Sequence, residues 1–450
     1  MSKLFGTDGI RGLANIELTP ELAFRLGRAS GYVLSTHNRP LKVLIGKDTR
    51  LSCDMLEAAL MAGFMSVGAC VYLTGVIPTP AVAFLVKQGG FDIGVMISAS
   101  HNPMADNGIK FFNSDGYKLP DAQESAIEDI IADFENSELP SPIGRNIGTL
   151  KRLRTAASDY IAFLKTIVNK NNLNGIKIAI DCANGAASFV AHDIFTQFGA
   201  EVTTIYNKPD GCNINADCGS THMDNLCKFV VSNKMDAGLA FDGDCDRMLA
   251  VDHLGNIIDG DIILAILGKE LASMGKLAKN TIVATNLSNK GLEIFCNKHG
   301  LKLVRTDVGD KYVLESILDN GYSLGGEQSG HIIVKEFGTT GDGLLSGLLL
   351  LCAVVKQNKN LHELSKIIEL LPQIMINVKV ANNRKPELNT NNIIQDKLHE
   401  IVNKLEDNGR VLLRPSGTEP LVRVMLEGRD EKEIKILANE LADVIRNTLG

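Results

Sequence analysis

The sequence has no tryptophan, and its nine cysteines are scattered without a Cys-x-x-Cys pair. An odd number of unclustered cysteines argues against a complete disulfide framework and against a cysteine-based zinc site, and it is typical of reduced thiols. We therefore expect a cytoplasmic protein.

Long apolar runs and an excess of positive charge are also missing. The longest apolar stretch, residues 344–355, is interrupted by Ser346 and Gly347 and is shorter than the ~20 residues that span a bilayer. The first residues lack the apolar core of a signal peptide. The formal net charge of −7 argues against a general nucleic-acid surface, which needs a basic excess. We therefore expect neither a membrane nor a nucleic acid among the partners.

What the sequence does contain is a regular alternation of predicted strands and helices along its 450 residues. Such an alternation predicts an α/β fold with mainly parallel sheets, and the length requires two to four domains. A stretch rich in proline and glycine before residue 150, and Pro372 further on, mark connections between domains. We place the domains at residues 1–150, 151–252, 253–370 and 371–450.

A short apolar run predicts a buried strand that ends in the segment SASHNP at residues 98–103. A hydroxyl just beyond the carboxyl end of such a strand lies where α/β proteins bind their ligands, and Asn-Pro turns the chain out of the sheet. Serine is a weak nucleophile without help, so His101 beside Ser100 and Lys110 on the predicted return strand are candidates to assist it. Spacing alone does not choose between Ser98 and Ser100.

Three carboxylates follow another predicted buried strand at every second position: Asp242, Asp244 and Asp246. In an extended chain these side chains point the same way, and a hard divalent cation relieves their repulsion. Cys245 falls between them, but we expect its side chain to point away, and a thiolate suits zinc rather than magnesium. An EF-hand is excluded because Arg247 and His253 stand where that loop needs glycine and glutamate.

Two further segments place polar side chains next to glycines. A glycine-rich segment at the start of the sequence holds Arg11, whose guanidinium can grip a phosphate with two hydrogen bonds. In residues 325–331, the side chains of Glu327, Ser329 and His331 alternate, so in an extended chain all three face one side. A carboxylate, a hydroxyl and an imidazole together suit a polyhydroxylated ligand.

The segment RPSGTEP at residues 414–420 offers two hydroxyls and several free backbone N–H groups between two arginines. This combination is what an anion-binding turn with charged clamps requires. It is not a Walker A loop, because no Gly-Lys-Ser/Thr is present. We predict a phosphate site formed by the following residues: Arg414, Ser416, Gly417, Thr418 and Arg423.

With these segments in order, the chain resembles the α-D-phosphohexomutase superfamily along its whole length. The matching motifs are FGTDGIR at 5–11, SASHNP at 98–103, DGDCDR at 242–247, GEQSGH at 326–331 and RPSGTEP at 414–420. In having glutamine at position 328, the chain resembles the branch that acts on glucosamine phosphates. The branch that acts on mannose and glucose phosphates usually has methionine at this position. Lys311 departs from the family pattern, which has arginine there; lysine keeps the charge but loses the bidentate fork, so its role stays open.

The resemblance implies four domains around a central cleft: three similar α/β mixed-sheet units and a smaller C-terminal α+β domain. It implies a cytoplasmic enzyme that interconverts glucosamine 6-phosphate and glucosamine 1-phosphate and feeds UDP-N-acetylglucosamine and cell-wall precursor synthesis. A mannose or glucose phosphate mutase of the same superfamily is the alternative. The implied partner is a sugar phosphate, and a homodimer is compatible with the resemblance.

The resemblance also implies a role for each candidate residue. Ser100 would carry the phosphoryl group and would join the three aspartates around one Mg²⁺. Glu327 and Ser329 would bind sugar hydroxyls, and the arginine-flanked segment at 414–420 with Arg423 would hold the non-reacting phosphate of the substrate. The reacting phosphoryl group would be surrounded by Arg11, Lys110, Arg247 and His331. Either Lys110 or His331 would take the proton of the sugar hydroxyl, and glucosamine 1,6-bisphosphate would be both intermediate and primer.

Overall fold

The computed structural model describes residues 4–35, 39–168, 173–416 and 419–450. The chain forms two compact units, one from Met1–Leu287 with Leu301–Ile367 and the other from Ser288–Gly300 with Ile368–Gly450. Among the described residues, the first unit holds three β-sheets and the second holds one.

The first sheet is built from the N-terminal third of the chain. Its strands are β1 (Ile10–Leu13), β2 (Lys42–Lys47), β3 (Cys70–Val76), β4 (Ile93–Ile97), β5 (Asp106–Asn113) and β6 (Thr149–Arg152). Their order is β1-β5-β4-β2-β3-β6, and the sheet is mixed because β5 runs antiparallel to both of its neighbours. Its helices are α1 (Pro20–Val33), α2 (Ser52–Ser66), α3 (Thr79–Gly89) and α4 (Asp121–Ala132). Helix α1 begins where the Thr19 side chain accepts a hydrogen bond from Leu22 N and Pro20 takes the first turn.

The second sheet has the order β11-β10-β9-β7-β8, with β7, β8 and β9 parallel. Its strands are β7 (Lys177–Asp181), β8 (Glu201–Ile205), β9 (Ala237–Phe241), β10 (Met248–Asp252) and β11 (Ile257–Ile258), and the helices in this part of the chain are α5 (Ala156–Val168), α6 (Ala191–Gln197) and α7 (Asp224–Ser232). Strands β4 and β9 are buried at every position, as interior strands covered on both faces must be.

The third sheet completes the first unit and has the order β13-β12-β14-β15. Its strands are β12 (Thr281–Thr285), β13 (Lys302–Thr306), β14 (Leu324–Gly326) and β15 (Ile332–Val334). The helices of this part of the unit are α8 (Gly260–Ser273), α10 (Asp310–Asn320), α11 (Gly343–Gln357) and α12 (Leu361–Ser365). The apolar stretch at 344–355, too short for a membrane span, lies in the largely buried helix α11, and Asp342 caps its start by accepting a hydrogen bond from Leu345 N.

The second unit is a three-stranded antiparallel sheet with helices. It contains α9 (Lys290–Lys298), β16 (Gln373–Lys379), α13 (Asn392–Leu405), β17 (Gly409–Pro415), β18 (Leu421–Gly428) and α14 (Glu431–Leu449). The order is β16-β18-β17, so the central strand is β18. Val422, Val424 and Leu426 of β18 are fully buried in one apolar cluster with residues of α14 such as Leu437 and Leu441.

The predicted fold class, three mixed α/β sheets and a smaller α+β part at the C-terminus, is confirmed. The four domain boundaries stay predictions. Among the described residues, none of the helices combines the length and the apolar character that a membrane span requires. All nine cysteines are free.

Three local features differ from the simplest interpretation of the sequence or add to it. The glycine-rich opening, a composition typical of a turn, supplies β1, because Ile10 and its neighbours pair with β5. The stretch rich in proline and glycine before residue 150 is mostly exposed, as a surface connection is, and it ends in β6, whose four residues are exposed at the sheet edge. The pattern at 188–198 predicts a single helix, but the structure breaks it at Val190, where a 3₁₀ turn (Ala186–Phe189) gives way to α6.

Candidate active site

Ser100 follows β4 and adopts the left-handed backbone conformation, with a φ of 53°. Non-glycine residues rarely adopt this conformation, so the surrounding contacts must hold it. The Ser100 Oγ donates a 2.5 Å hydrogen bond to Asp242 Oδ2 and lies 3.5 Å from His101 Nδ1. The structure therefore brings the serine of one sheet against the first aspartate of the next.

Ser98 has a different environment from Ser100. Its Oγ donates to Asp48 Oδ2 at 2.6 Å and accepts a 2.9 Å hydrogen bond from Ser100 N. The Ser98 hydroxyl is thus engaged in supporting the loop, whereas the Ser100 hydroxyl faces a carboxylate of the aspartate cluster. Residue spacing could not give this difference: of the two hydroxyls, only that of Ser100 contacts the aspartate cluster.

Asp242, Asp244 and Asp246 converge, but not in the way the sequence predicts. The segment after β9 is a turn, with Cys245 at a φ of 63°, and not an extended chain with alternating sides. Even so, one oxygen from each carboxylate lies within 4.8 Å of the others, and all three residues are buried. Among the described residues, these three alone form such a group, and Cys245 is not a member.

The chemistry of this cluster fits a hard cation. Burial, followed by the charges of Asp246 and Asp244, raises the pKa of Asp242 well above its usual value. Asp244 Oδ1 and Asp246 Oδ1 are buried and accept no hydrogen bond from the part of the chain that the structure describes. Buried oxygens without a donor are costly, and carboxylate oxygens are the ligands of Mg²⁺ and Ca²⁺. The aspartate cluster is therefore consistent with a metal site.

Lys110 on β5 brings one positive charge to the same cluster. Its Nζ lies 2.8 Å from Asp244 Oδ2, 3.2 Å from Asp246 Oδ2 and 3.0 Å from Asp8 Oδ2, and its side chain is 2% exposed. Burial acts to lower the pKa of Lys110, but the three carboxylates outweigh it and raise the pKa well above its usual value. Thr79 Oγ1 donates a further hydrogen bond to Asp244 Oδ2 at 2.6 Å. Lys110 is thus a fixed cation beside the aspartates.

Asp8 is surrounded by positive charges. It forms an ion pair with Arg11, and its Oδ1 lies 2.7 Å from Lys118 Nζ, which also reaches Asp310 Oδ2 at 2.5 Å. Burial acts to raise the pKa of Asp8, but Lys110, Lys118 and Arg11 together hold it well below its usual value. Asp8 therefore links three cations, two of which, Lys110 and Lys118, also pair with Asp244 and Asp310.

Arg247 and His331 come from neighbouring turns that pair through a single β-bridge. Arg247 Nη1 lies 3.1 Å from His101 Nδ1, and His331 Nδ1 lies 3.7 Å from Asp246 Oδ2. Burial, followed by the charges of Arg247 and Arg11, lowers the pKa of His101 to about 4, so His101 is neutral at pH 7. Burial acts to lower the pKa of His331, but its interaction with Asp246 raises it above the usual value.

The segment that carries Glu327, Ser329 and His331 is a tight turn between β14 and β15, and the extended conformation expected for it is wrong. Glu327 N donates to His331 O at 3.0 Å, and Gly330 N donates to Glu327 O at 3.0 Å. Glu327 and Ser329 are half-buried. The Ser329 Oγ is buried and has no hydrogen-bond partner in the described part of the chain, so its capacity to form hydrogen bonds is unused.

In the second unit, Arg414 and Arg423 face each other across β17 and β18. Like charges at facing positions repel, and an anion bound beside them relieves that repulsion. Arg423 Nη2 lies 3.1 Å from Glu419 Oε2, and Ser416 Oγ accepts from Glu419 N at 3.1 Å. Two other members of the predicted phosphate site lie outside the described residues: Gly417 and Thr418.

Sequence reasoning missed five charged residues near the predicted ones: Asp8, Asp48, Arg50, Lys118 and Asp310. Asp8 lies inside the FGTDGIR motif, and Asp48 and Arg50 follow β2, so a signal was present at the end of a strand. Lys118 and Asp310 are 192 residues apart in sequence, and only the packing of the sheets brings them together.

Comparison with known proteins gives the same picture along the whole chain. Sequence profiles of the four phosphoglucomutase/phosphomannomutase domains match in order: α/β/α domain I at 2–138, domain II at 158–255, domain III at 259–371 and the C-terminal domain at 375–444. A phosphoglucosamine mutase from Acetivibrio thermocellus is 54% identical over 452 residues and covers 100% of both chains. One from Clostridium acetobutylicum is 52% identical over 447 residues and covers 99% of each.

Solved structures share the fold at low sequence identity. A phosphoglucomutase/phosphomannomutase family protein from Burkholderia thailandensis superposes with a TM-score of 0.83 at 23% identity, covering 99% of this chain and 98% of that one. An Aspergillus fumigatus N-acetylphosphoglucosamine mutase, solved in complex with GlcNAc-6P and magnesium, gives a TM-score of 0.67 at 18% identity, covering 99% and 96%. These likenesses establish a common architecture.

Proposed function

Because the chain belongs to the phosphoglucosamine mutases of the phosphoglucomutase/phosphomannomutase family, we propose that it interconverts glucosamine 6-phosphate and glucosamine 1-phosphate. The resemblance drawn from its motifs is thereby confirmed at the level of the family. The enzyme is an isomerase, and its product feeds UDP-N-acetylglucosamine and cell-wall precursor synthesis. We also propose a cytoplasmic location, in which nine free cysteines stay reduced.

The observation that carries the proposal is the position of the Ser100 hydroxyl. Its Oγ lies 2.5 Å from Asp242 Oδ2, at a cluster of three buried carboxylates that also holds Lys110. Phosphoryl transfer depends on positioning and on neutralising the charge of the moving group, and this arrangement supplies both.

The proposed reaction has two transfers through Ser100. In the first, the bond between the phosphorus and Ser100 Oγ breaks, a bond forms to O1 of glucosamine 6-phosphate, and the hydroxyl proton passes to a base. The resulting 1,6-bisphosphate turns over in the site. In the second, the bond between its 6-phosphorus and O6 breaks and a bond forms to Ser100 Oγ. The proton that Ser100 Oγ gained when it lost its phosphoryl group passes to O6, and glucosamine 1-phosphate is left. The same bisphosphate primes a Ser100 that carries no phosphoryl group.

Two groups compete for the role of the base. Lys110 and His331 both contact Asp246, and the pKa of each is raised above its usual value in spite of burial, by the carboxylates around it. A raised pKa favours the protonated form, which cannot act as a base, so the residue that takes the sugar's proton must first give up its own. The assignment stays between these two residues.

We propose one Mg²⁺ per chain, held by the carboxylates of Asp242, Asp244 and Asp246 together with an oxygen on Ser100. When bound there, Mg²⁺ supplies a positive charge that offsets the negative charge on the moving phosphoryl group. The magnesium in the Aspergillus fumigatus complex supports this choice of ion.

The remaining residues are proposed to orient the substrate. Arg11 and Arg247 would contact the reacting phosphoryl group, and neutral His101 would orient Arg247 through the 3.1 Å contact with its guanidinium. Glu327 and Ser329 would bind sugar hydroxyls, for which the free Ser329 Oγ is suited. The phosphate site of the second unit would hold the non-reacting phosphate: Arg414, Ser416, Gly417, Thr418 and Arg423. A homodimer stays a prediction.

The test is the Ser100→Ala variant, assayed by conversion of glucosamine 6-phosphate and by intact mass after incubation with glucosamine 1,6-bisphosphate. We expect no turnover and no gain of a phosphoryl group, with an unchanged circular dichroism spectrum. Ser158→Ala, at an exposed serine of α5, is the matched control. It should keep both the turnover of glucosamine 6-phosphate and the gain of a phosphoryl group. Full activity of Ser100→Ala contradicts the proposal.

Two further measurements separate the alternatives. Release of inorganic phosphate without isomer formation would indicate a phosphohydrolase. A higher kcat/KM for glucose or mannose phosphates than for glucosamine phosphates would indicate the other branch of the superfamily.

A further inference from the structure

The loop that carries Ser100 is held by two side chains that the proposed reaction does not use. Arg50, which follows β2, donates from Nη2 to Ser100 O at 3.0 Å and to Asn102 O at 2.8 Å. Asn215, between β8 and α7, donates from Nδ2 to the same two carbonyls at 2.8 Å and 3.0 Å. Four hydrogen bonds from two different parts of the first unit therefore converge on two carbonyl groups of the loop.

Arg50 is itself rigidly placed. Its Nε donates to Asp48 Oδ2 at 2.9 Å, and its Nη1 donates to Pro103 O at 2.5 Å and to Asp106 O at 3.0 Å. Together with the two bonds from Nη2, these use all five N–H donors of the guanidinium, and the side chain is fully buried. A lysine could not reproduce this planar set of donors.

The N–H side of Ser100 is fixed as well. Ser98 Oγ accepts from Ser100 N at 2.9 Å and donates to Asp48 Oδ2 at 2.6 Å, so the carboxylate that fixes Arg50 also fixes the hydroxyl beneath Ser100. Gly243, in the aspartate turn, packs against the same carbonyl, because a Cβ at this position would lie 2.6 Å from Ser100 O. Both backbone polar groups of Ser100 are thus constrained from several directions.

We propose that Arg50 and Asn215, with Asp48 supporting Arg50, are positioning residues that hold Ser100 in its left-handed conformation. The inference rests on the proposed function of Ser100 as the phosphoryl carrier. Serine rarely adopts a φ of 53° unaided, and the four hydrogen bonds oppose its relaxation. Because the phosphoryl group leaves and returns in every turnover, the Ser100 Oγ must come back to the same place beside Asp242.

The decisive variant is Asn215→Asp, which keeps the shape of the side chain but removes the donor. We expect kcat to fall by about tenfold or more, because a small misplacement of a reacting atom is costly in rate. KM for glucosamine 6-phosphate and the Mg²⁺ concentration for half-maximal activity should change by less than about twofold, because no substrate or metal contact is lost. The single-turnover rate at which glucosamine 1,6-bisphosphate phosphorylates Ser100, followed by intact mass, should fall with kcat.

Asn213→Asp is the matched control. Asn213 lies in the same loop and also donates from Nδ2 to a backbone carbonyl, Lys208 O at 3.0 Å, which is not part of the Ser100 loop. This variant should keep kcat and the phosphorylation rate within about twofold. Arg50→Lys should lose more activity than Asn215→Asp. Because Arg50 is buried, its variant is at risk of misfolding, so Asn215→Asp decides whether these side chains position Ser100. Asn215→Ala, which also removes the donor, is a second variant for the same test.

Three results would overturn the inference. The first is an Asn215→Asp enzyme with kcat within about twofold of the parent. The second is an Asn215→Asp enzyme whose KM rises while its kcat is unchanged. The third is a loss of kcat in Asn213→Asp as large as the loss in Asn215→Asp. Failure of the parent enzyme to interconvert the two glucosamine phosphates is a separate outcome, which overturns the proposed function and the positioning role with it. The parent assay therefore distinguishes the two kinds of failure.

Discussion

Replacing Lys110 by methionine tests the charge balance of the aspartate cluster. The change removes the cation but keeps the length of the side chain. Lys110 Nζ lies 2.8 Å, 3.2 Å and 3.0 Å from the carboxylates of Asp244, Asp246 and Asp8, and its side chain is 2% exposed. Deleting one partner of a buried ion pair costs about 3–5 kcal/mol, because an uncompensated charge stays behind. We expect the first unit to lose about that much free energy of unfolding.

Differential scanning calorimetry at pH 7 with EDTA measures this loss as a lower transition midpoint. The first unit has about 350 residues, so at about 2.1 cal/mol/K per residue its unfolding entropy is about 0.7 kcal/mol/K. A loss of 1 kcal/mol then shifts the midpoint by about 1.3 °C, and we expect a decrease of about 4–7 °C. Lys177→Met is the control, because Lys177 forms only an exposed ion pair with Glu201 at 3.8 Å. An exposed pair contributes about 0–1 kcal/mol, so the control midpoint should hardly move.

The stability difference between the parent and Lys110→Met should depend on pH in one direction. Asp8 and Asp246 have pKa values below their usual range in the folded protein, so their contribution to stability is present above the unfolded pKa of about 3.9. It is lost as the pH falls through the lower folded value. Without Lys110 these carboxylates take up protons at higher pH, which relieves their repulsion. The stability gap between parent and Lys110→Met should therefore narrow below about pH 4. Equal midpoints at pH 7, or a gap that widens on acidification, would refute this reasoning.

Three further variants probe the same site. Asp244→Asn should weaken Mg²⁺ binding in a calorimetric titration, and an unchanged affinity would exclude the cluster as the metal site. Gly243→Ala would place a Cβ 2.6 Å from Ser100 O, so kcat should fall by about tenfold or more, and full kcat would contradict the close packing. Since Asp246 raises the pKa of His331 in spite of burial, His331 stabilises the metal-free protein below its unfolded pKa of about 6.5, and this is lost as the pH rises through the folded value. The thermal midpoint of His331→Asn should not show this decrease with rising pH. A pH profile identical to that of the parent would show that the interaction between His331 and Asp246 is weak.

The sequence predicted the strands whose apolar runs are sharply bounded. The apolar patterns at 177–181, 281–285 and 332–334 predict strands with the bounds that β7, β12 and β15 have. Each is a short run of apolar or β-branched residues between polar turns. Strand β6 was missed because its four residues are exposed and carry no hydrophobic pattern. Strand β1 was hidden by glycines, and its pairing with β5 is a long-range contact that no local pattern encodes.

The site shows the same division between local chemistry and long-range packing. The residue types at Ser100 and in the aspartate cluster point to their chemistry. Side chains alternate between two sides only in an extended chain, and the structure folds the segments at 242–246 and 327–331 as turns. Cys245, in the left-handed conformation, is the residue at which that rule fails. Lys311, whose role the sequence left open, forms an ion pair with Asp121, 190 residues away. Contacts of this kind depend on how the sheets pack.

Ser100, Asp242 and His331 stand on loops of three different sheets of the first unit. The 2.5 Å contact between the Ser100 hydroxyl and the Asp242 carboxylate thus exists only when the first and second sheets are docked. If Ser100 carries the phosphoryl group as proposed, a molecule in which either of these two sheets is displaced lacks the carboxylate beside the hydroxyl, and we expect it to be inactive. Activity would then depend on the docking of the sheets and not only on the folding of each one.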